Sequence, residues 1–142
     1  MLSRLIGRFF DDGVGGPGGW WILDEPELHF GGDVLVPDIA GWRRERMPVF
    51  PDVSYFELAP DWVCETVSPQ TAGLDRLKKL PRYARHGVGH AWIVDPTIPG
   101  VEVYRRDGDL FSLVSTHERA DRIHAEPFEA CEIDLSALWI DA

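Results

Sequence analysis

The stretch of residues 62–95 places the strongest constraint on the fold of this chain. Residues 62–67 (WVCETV) are mostly apolar and β-branched, which predicts a strand in the core. Leu74–His86 has the spacing of a helix, and Gly87 follows it at the position where glycine commonly ends helices. His90–Asp95 (HAWIVD) predicts another strand. A strand, a helix and a strand in this order indicate a right-handed crossover, and therefore a parallel pair within a mixed sheet.

The remaining sequence predicts further strands around this unit and a helical segment at each end. The predicted elements are a helix at 2–10, a glycine-rich loop at 11–19, a hairpin of 20–23 with 28–30, a strand at 33–40, an irregular excursion at 41–60, a hairpin of 101–106 with 110–115, and a helical turn at 133–139. Pro81 is expected to kink the central helix or divide it. We therefore expect an α/β (α+β) fold, formed as a single domain over residues 1–142.

Charge and composition narrow the class of protein. The net charge of −10 argues against a nucleic-acid coat protein, which is usually basic, but it fits a nuclease that binds divalent metals through carboxylates. The two cysteines and the absence of an 18-residue apolar run predict a cytoplasmic protein without a membrane span. Eight of the 14 basic residues form two clusters: Arg43, Arg44 and Arg46, and Arg76, Lys78, Lys79, Arg82 and Arg85. The first cluster is a candidate contact for a phosphate backbone, with a solvated loop or a dimer surface as the alternatives.

Two carboxylates stand within apolar strands, where an ionised side chain is costly unless it is paired or binds a cation. Glu65 lies in WVCETV, and Asp38 lies in DVLVPDIA. If these strands are neighbours and in register, the two residues would be about 5 Å apart. Like charges at that distance repel unless a cation sits between them, and carboxylate oxygens favour Mg²⁺ or Mn²⁺ over zinc. The alternatives are that Asp38 caps a turn or pairs with an arginine, and that Glu65 pairs with Lys79.

The helix that follows Glu65 supplies a cation. Asp75, Lys79 and Tyr83 are four residues apart and would share one helix face. Since this helix returns over the sheet, Lys79 could reach the two carboxylates. Such a set suits metal-assisted phosphodiester cleavage: the carboxylates hold the metal, and the lysine orients or deprotonates the attacking water or stabilises the transition state. The alternatives are a solvated Lys79 and a Tyr83 used for packing.

Five short motifs follow one another in a distinctive order. They are Pro37-Asp38, Glu65-Thr66-Val67-Ser68-Pro69, Asp75-x3-Lys79-x3-Tyr83-Ala84-Arg85-x-Gly87-Val88, Trp92-Ile93-Val94-Asp95-Pro96 and Val101-Glu102-Val103-Tyr104. This series, over about residues 15–140, resembles the Uma-type restriction endonuclease family of the PD-(D/E)XK nuclease superfamily. The resemblance implies a restriction-endonuclease-like fold, in which helices flank a central mixed sheet. It also implies that Asp38 and Glu65 are the two metal-binding acids.

The sequence departs from the superfamily pattern two residues after Glu65, where Val67 replaces the usual lysine. The resemblance implies that Lys79 on the helix takes this role, and that the family's N-terminal helix is shortened here. We therefore expect a Mg²⁺- or Mn²⁺-dependent DNA endonuclease that acts as a homodimer, with Asp38, Glu65 and Lys79 as catalytic residues. The alternatives are a catalytically inactive, dimeric binding or regulatory module of the same fold, and a hydrolase of another phosphate ester.

Overall fold

A six-stranded mixed sheet forms the centre of the computed structural model, which describes residues 2–68, 70, 72–97 and 99–139, with the side chains of 72–77 and 139 outside that description. The elements are α1 (Leu2–Ile6), a π-helical turn (Gly7–Asp11), β1 (Trp20–Asp24), β2 (Leu28–Phe30), β3 (Asp33–Leu35), β4 (Ile39–Arg43), β5 (Trp62–Thr66), α2 (Ala72–Arg85), β6 (His90–Asp95), β7 (Gly100–Asp107), β8 (Leu110–Glu118), β9 (Arg122–Ile123), β10 (Ile133–Asp134) and a 3₁₀ turn (Leu135–Trp139). The strand order is β1-β4-β5-β6-β7-β8.

The predicted crossover is confirmed by the pairing of β5 with β6. The two strands are parallel, with Trp62 opposite His90 and Glu65 opposite Ile93, and α2 connects them. The helix continues through Pro81, although the sequence favoured a kink or two pieces. Proline removes one backbone hydrogen bond there, but the neighbouring turn is held by buried side chains of Leu80, Tyr83 and Ala84.

The N-terminal strands pair differently from the prediction. β1 is antiparallel to β4 in the main sheet, with Trp21 opposite Trp42, so the expected hairpin of residues 20–23 with 28–30 is wrong. β2 pairs instead with β3 in a separate ribbon. The expected strand at 33–40 is divided after Leu35 and resumes at Ile39 as β4. Pro37 stands in this gap and has no N–H to donate to a sheet ladder, which explains why the strand is interrupted there.

The core divides into two layers, one on each face of the sheet. Trp62 and Cys64 belong to the layer that includes α1, whereas Val63 and Val67 belong to the layer that includes α2. Side chains alternate along a strand, so Glu65 projects toward the α2 layer. The predicted α/β (α+β) class, a central mixed sheet flanked by helices, is thereby confirmed. In the described part of the chain, none of the helices has the length and apolar character needed to cross a membrane.

Candidate functional site

Asp38 and Glu65 lie side by side where β4 begins and β5 ends. The ladder between these strands pairs Ile39 with Cys64, which places the preceding Asp38 next to Glu65. The Asp38 N–H donates to Glu65 Oε1 over 2.9 Å, and the Thr66 N–H donates to Asp38 Oδ2 over 2.6 Å. Each carboxylate is therefore oriented by backbone of the neighbouring segment.

Glu65 is the charged side chain that the described part of the chain buries, with only 3% of the residue exposed. Burial raises the pKa of this carboxyl above its usual value, because the charged form loses hydration. The hydrogen bond and positive charge of Lys79 act in the opposite direction but do not fully offset burial. Glu65 is thus a carboxylate whose negative charge is only partly compensated by the protein.

Lys79 reaches Glu65 from α2. Its Nζ lies 2.5 Å from Glu65 Oε2, and 37% of the lysine side chain remains exposed. The sequence left this ion pair open as an alternative for Glu65, and the pair also places an ammonium group beside the Glu65 carboxylate. Val67 is buried in the α2 layer, so a cation at the site comes from the helix rather than from the strand. The Asp75 side chain, expected on the same helix face, lies outside the described residues.

The atoms available as ligands determine which metal ion the site could bind. Asp38 and Glu65 offer carboxylate oxygens, which suit Mg²⁺ and Mn²⁺, and a magnesium ion commonly keeps several waters and binds only one or two carboxylates. Among the described residues there is no group of three or more histidine, cysteine, aspartate or glutamate side chains arranged for a metal. The two carboxylates therefore fit a hydrated magnesium-type ion and do not form a closed zinc site.

The neighbouring Cys64 and Tyr83 are both buried in the core. Cys64 is fully buried on the opposite face of β5, and burial raises the pKa of its thiol well above the usual value. A thiol with a raised pKa is a poor nucleophile, which agrees with a structural role. Tyr83 is buried in the α2 layer and packs in the core, as its alternative interpretation suggested.

The arginines at 43, 44 and 46 lie away from the two carboxylates. Arg43 ends β4, five residues after Asp38, which corresponds to about 17 Å along an extended strand. Arg44 pairs with Asp11 and Arg46 pairs with Asp61. The sequence pattern predicts an irregular excursion at 41–60, but β4 extends to Arg43. The structure therefore gives the cluster a location separate from the site.

Comparisons with known proteins agree with the fold. Residues 2–137 match the Uma2 family model, which is described as "Putative restriction endonuclease". The chain is also similar to a solved structure of "a putative nuclease belonging to DUF820" from Anabaena variabilis, with 22% identity, a TM-score of 0.72, and coverage of 97% of this chain and 78% of that chain. This likeness concerns the fold. No curated protein matches the sequence.

Proposed function

Because the chain belongs to the Uma2 family of restriction endonucleases, we propose that it hydrolyses the phosphodiester bonds of DNA with Mg²⁺ or Mn²⁺. In this proposal Asp38 and Glu65 hold the ion, and Lys79 is the catalytic cation. Family membership supports nuclease function in general. The choice of a divalent ion follows from the oxygen donors of the two carboxylates.

The observation that carries the proposal is that buried Glu65 contacts both a second acidic residue, Asp38, and Lys79. Only 3% of Glu65 is exposed, and a buried ion pair commonly adds little stability compared with well-packed apolar residues in its place. Here Glu65 lies beside a second carboxylate, and its pKa is raised despite the ion pair with Lys79. Perturbed, convergent titratable groups of this kind are typical of functional sites.

The chain's own residues prepare the site in three ways. The Asp38 N–H fixes the orientation of the Glu65 carboxylate, and the Thr66 N–H fixes that of Asp38. When bound, a divalent ion supplies charge neutralisation of the phosphodiester and activation of a water molecule. Lys79 holds a proton at Nζ, and its partly exposed ammonium group is placed to offset negative charge that develops on the phosphoryl oxygens.

Nicking of supercoiled plasmid in millimolar Mg²⁺ or Mn²⁺ tests the proposal. We expect relaxed and linear DNA from the wild-type protein, and a rate lower by about a hundredfold or more for Asp38→Asn, Glu65→Gln and Lys79→Met, because each removes a charge at the reacting centre. Lys78→Met is the matched control. It makes the same change on the next residue, whose side chain is exposed, and it should keep the wild-type rate. Cleavage unaffected by Glu65→Gln would falsify the assignment.

The second candidate is an inactive binding module of the same fold. The direct contact between Lys79 and Glu65 favours it, since a lysine that neutralises the carboxylate competes with a metal for the same oxygens. Calorimetry with Mn²⁺ separates the two candidates. Binding that disappears in Asp38→Asn supports the enzyme, whereas no measurable binding by the folded wild-type protein supports the module.

The proposal also includes a cytoplasmic location and a homodimer, in which two sites could cut two DNA strands. The support for dimerisation comes from β8, one of the two edge strands of the main sheet. Leu110, Leu113 and Val114 on this strand are exposed. An apolar edge strand is a ready surface for pairing with a further chain.

A further inference from the structure

A cavity of about 370 Å³ lies on the α1 side of the sheet, away from Asp38 and Glu65. Its apolar walls include Phe10, Trp20 and Pro127, and its polar walls include Arg43, Arg44 and Glu45. A volume of this size is within the range of small-molecule sites, which combine apolar walls with a few polar groups.

Of the two arginines that line this cavity, Arg43 is the one with unused hydrogen-bonding capacity within the described residues. Its guanidinium carbon lies 4.6 Å from the centre of the Trp20 ring. Within the described part of the chain, the guanidinium group makes no hydrogen bond and no ion pair. The five N–H donors of the guanidinium are therefore left for a ligand. Arg44, in contrast, donates to the Trp20 carbonyl and to Asp11.

The cavity walls are held in place by the backbone around them. The Arg43 N–H donates to Asp61 Oδ2 over 2.8 Å, which fixes the end of β4. Gly18 and Gly19, which line the cavity, have φ angles of +65° and +88°, a conformation that glycine adopts readily. The glycine-rich loop thus forms a wall of the cavity. A preformed site of this kind loses little entropy when it binds a ligand.

We propose that this cavity binds a phosphate monoester of about the size of a mononucleotide. Arg43 contacts the phosphate, and the rest of the ligand is the apolar body. The planar donor fork of arginine matches phosphate oxygens. Phe10 and Trp20 are 2% and 3% exposed, so the apolar body would contact mainly the exposed Pro17 and Ala130 of the lining.

Glu45 also lines this cavity, and its negative charge repels an anion. Removal of that charge should therefore strengthen binding of the phosphate monoester. The proposal does not depend on nuclease activity, because Arg43 ends β4 whereas Asp38 precedes the start of that strand.

Calorimetric titration without divalent ions tests the proposal, with adenosine 5′-monophosphate and adenosine as probes. We expect the monophosphate to bind at least about tenfold more tightly than adenosine, and Arg43→Gln to weaken it by about tenfold or more, as expected for loss of a charge-assisted contact. Glu45→Gln should strengthen binding. Arg106→Gln is the matched control, because Arg106 is exposed on β7 and does not line the cavity, and it should change nothing.

A phosphate monoester could come from the end of a nucleic-acid strand or from a free small molecule, and short oligonucleotides distinguish these two sources. Binding of a 5′-phosphorylated trinucleotide as tight as that of the mononucleotide indicates a strand end, whereas binding of the mononucleotide alone indicates a free small molecule. The proposal is overturned if the folded wild-type protein does not bind the monophosphate at millimolar concentration, or if Arg43→Gln binds it as the wild type does. If circular dichroism shows that Arg43→Gln is unfolded, Arg43→Lys replaces it. Wild-type affinity in Arg43→Lys overturns the role of the donor fork.

Discussion

At the scale of the residue, the contact between Lys79 and Glu65 predicts a stability effect that is separate from activity. Lys79→Met leaves a buried carboxylate without its cation, and we expect the free energy of unfolding to fall by about 1–3 kcal/mol. The loss should be smaller than for a fully buried pair, because 37% of the lysine side chain is exposed. Urea denaturation measures this change, with Lys78→Met as the control that should stay within about 0.5 kcal/mol of the wild type. Equal midpoints for Lys79→Met and Lys78→Met would contradict the expectation.

Single residues also determine how much of the candidate site can be predicted from the sequence. A carboxylate inside an apolar strand is visible in the sequence, because burial of a charge conflicts with its neighbours. This conflict predicted that Asp38, Glu65 and Lys79 come together, and the structure places them in contact. The two backbone donors that orient the carboxylates were not predictable, since every residue except proline carries an N–H and nothing local identifies which one is used.

At the scale of the element, the pairing of β1 with β4 depends on a residue without a side chain. Gly41 lies opposite Ile22, and a Cβ atom there would lie 2.9 Å from Ile22 Cδ1 and 3.1 Å from Trp20 Cε3. Trp20 is buried and cannot move aside freely, so Gly41→Ala should destabilise the protein by about 1–3 kcal/mol. Thermal unfolding measures this loss. Gly32→Ala is the control, because a Cβ there meets nothing within 4 Å.

This pairing also shows where sequence patterns stop being informative. Residues 20–23 and 28–30 are both apolar and flank a turn, so local rules favoured a hairpin between them. β1 instead joins β4, where Trp20 packs in the α1 layer and Trp21 packs against the α2 layer. Which strand pairs with β1 depends on burial on both faces of the whole sheet, and a short stretch of sequence does not carry that information. The β5–α2–β6 unit was predictable because its pairing follows from chain order and handedness.

At the scale of the whole molecule, the open edge of the sheet predicts association of two copies. Residues 110–116 contain no charged residue or proline, which are two of the means by which proteins protect an edge. A second copy could place its own β8 antiparallel to this one about a two-fold axis, so that the same strand forms both halves of the interface.

We expect light scattering to show a dimer for the wild-type protein and a monomer for Leu113→Lys, since a lysine at this exposed position would place like charges close together across the two-fold axis. Val49→Lys is the matched control, because Val49 is also apolar and exposed but lies in the segment between β4 and β5, and it should remain dimeric. A wild-type monomer at micromolar concentration, or a dimer that persists in Leu113→Lys, would exclude β8 as the interface. Plasmid assays then separate assembly from chemistry: if each site cuts one strand, Leu113→Lys should still nick plasmid but produce less linear product.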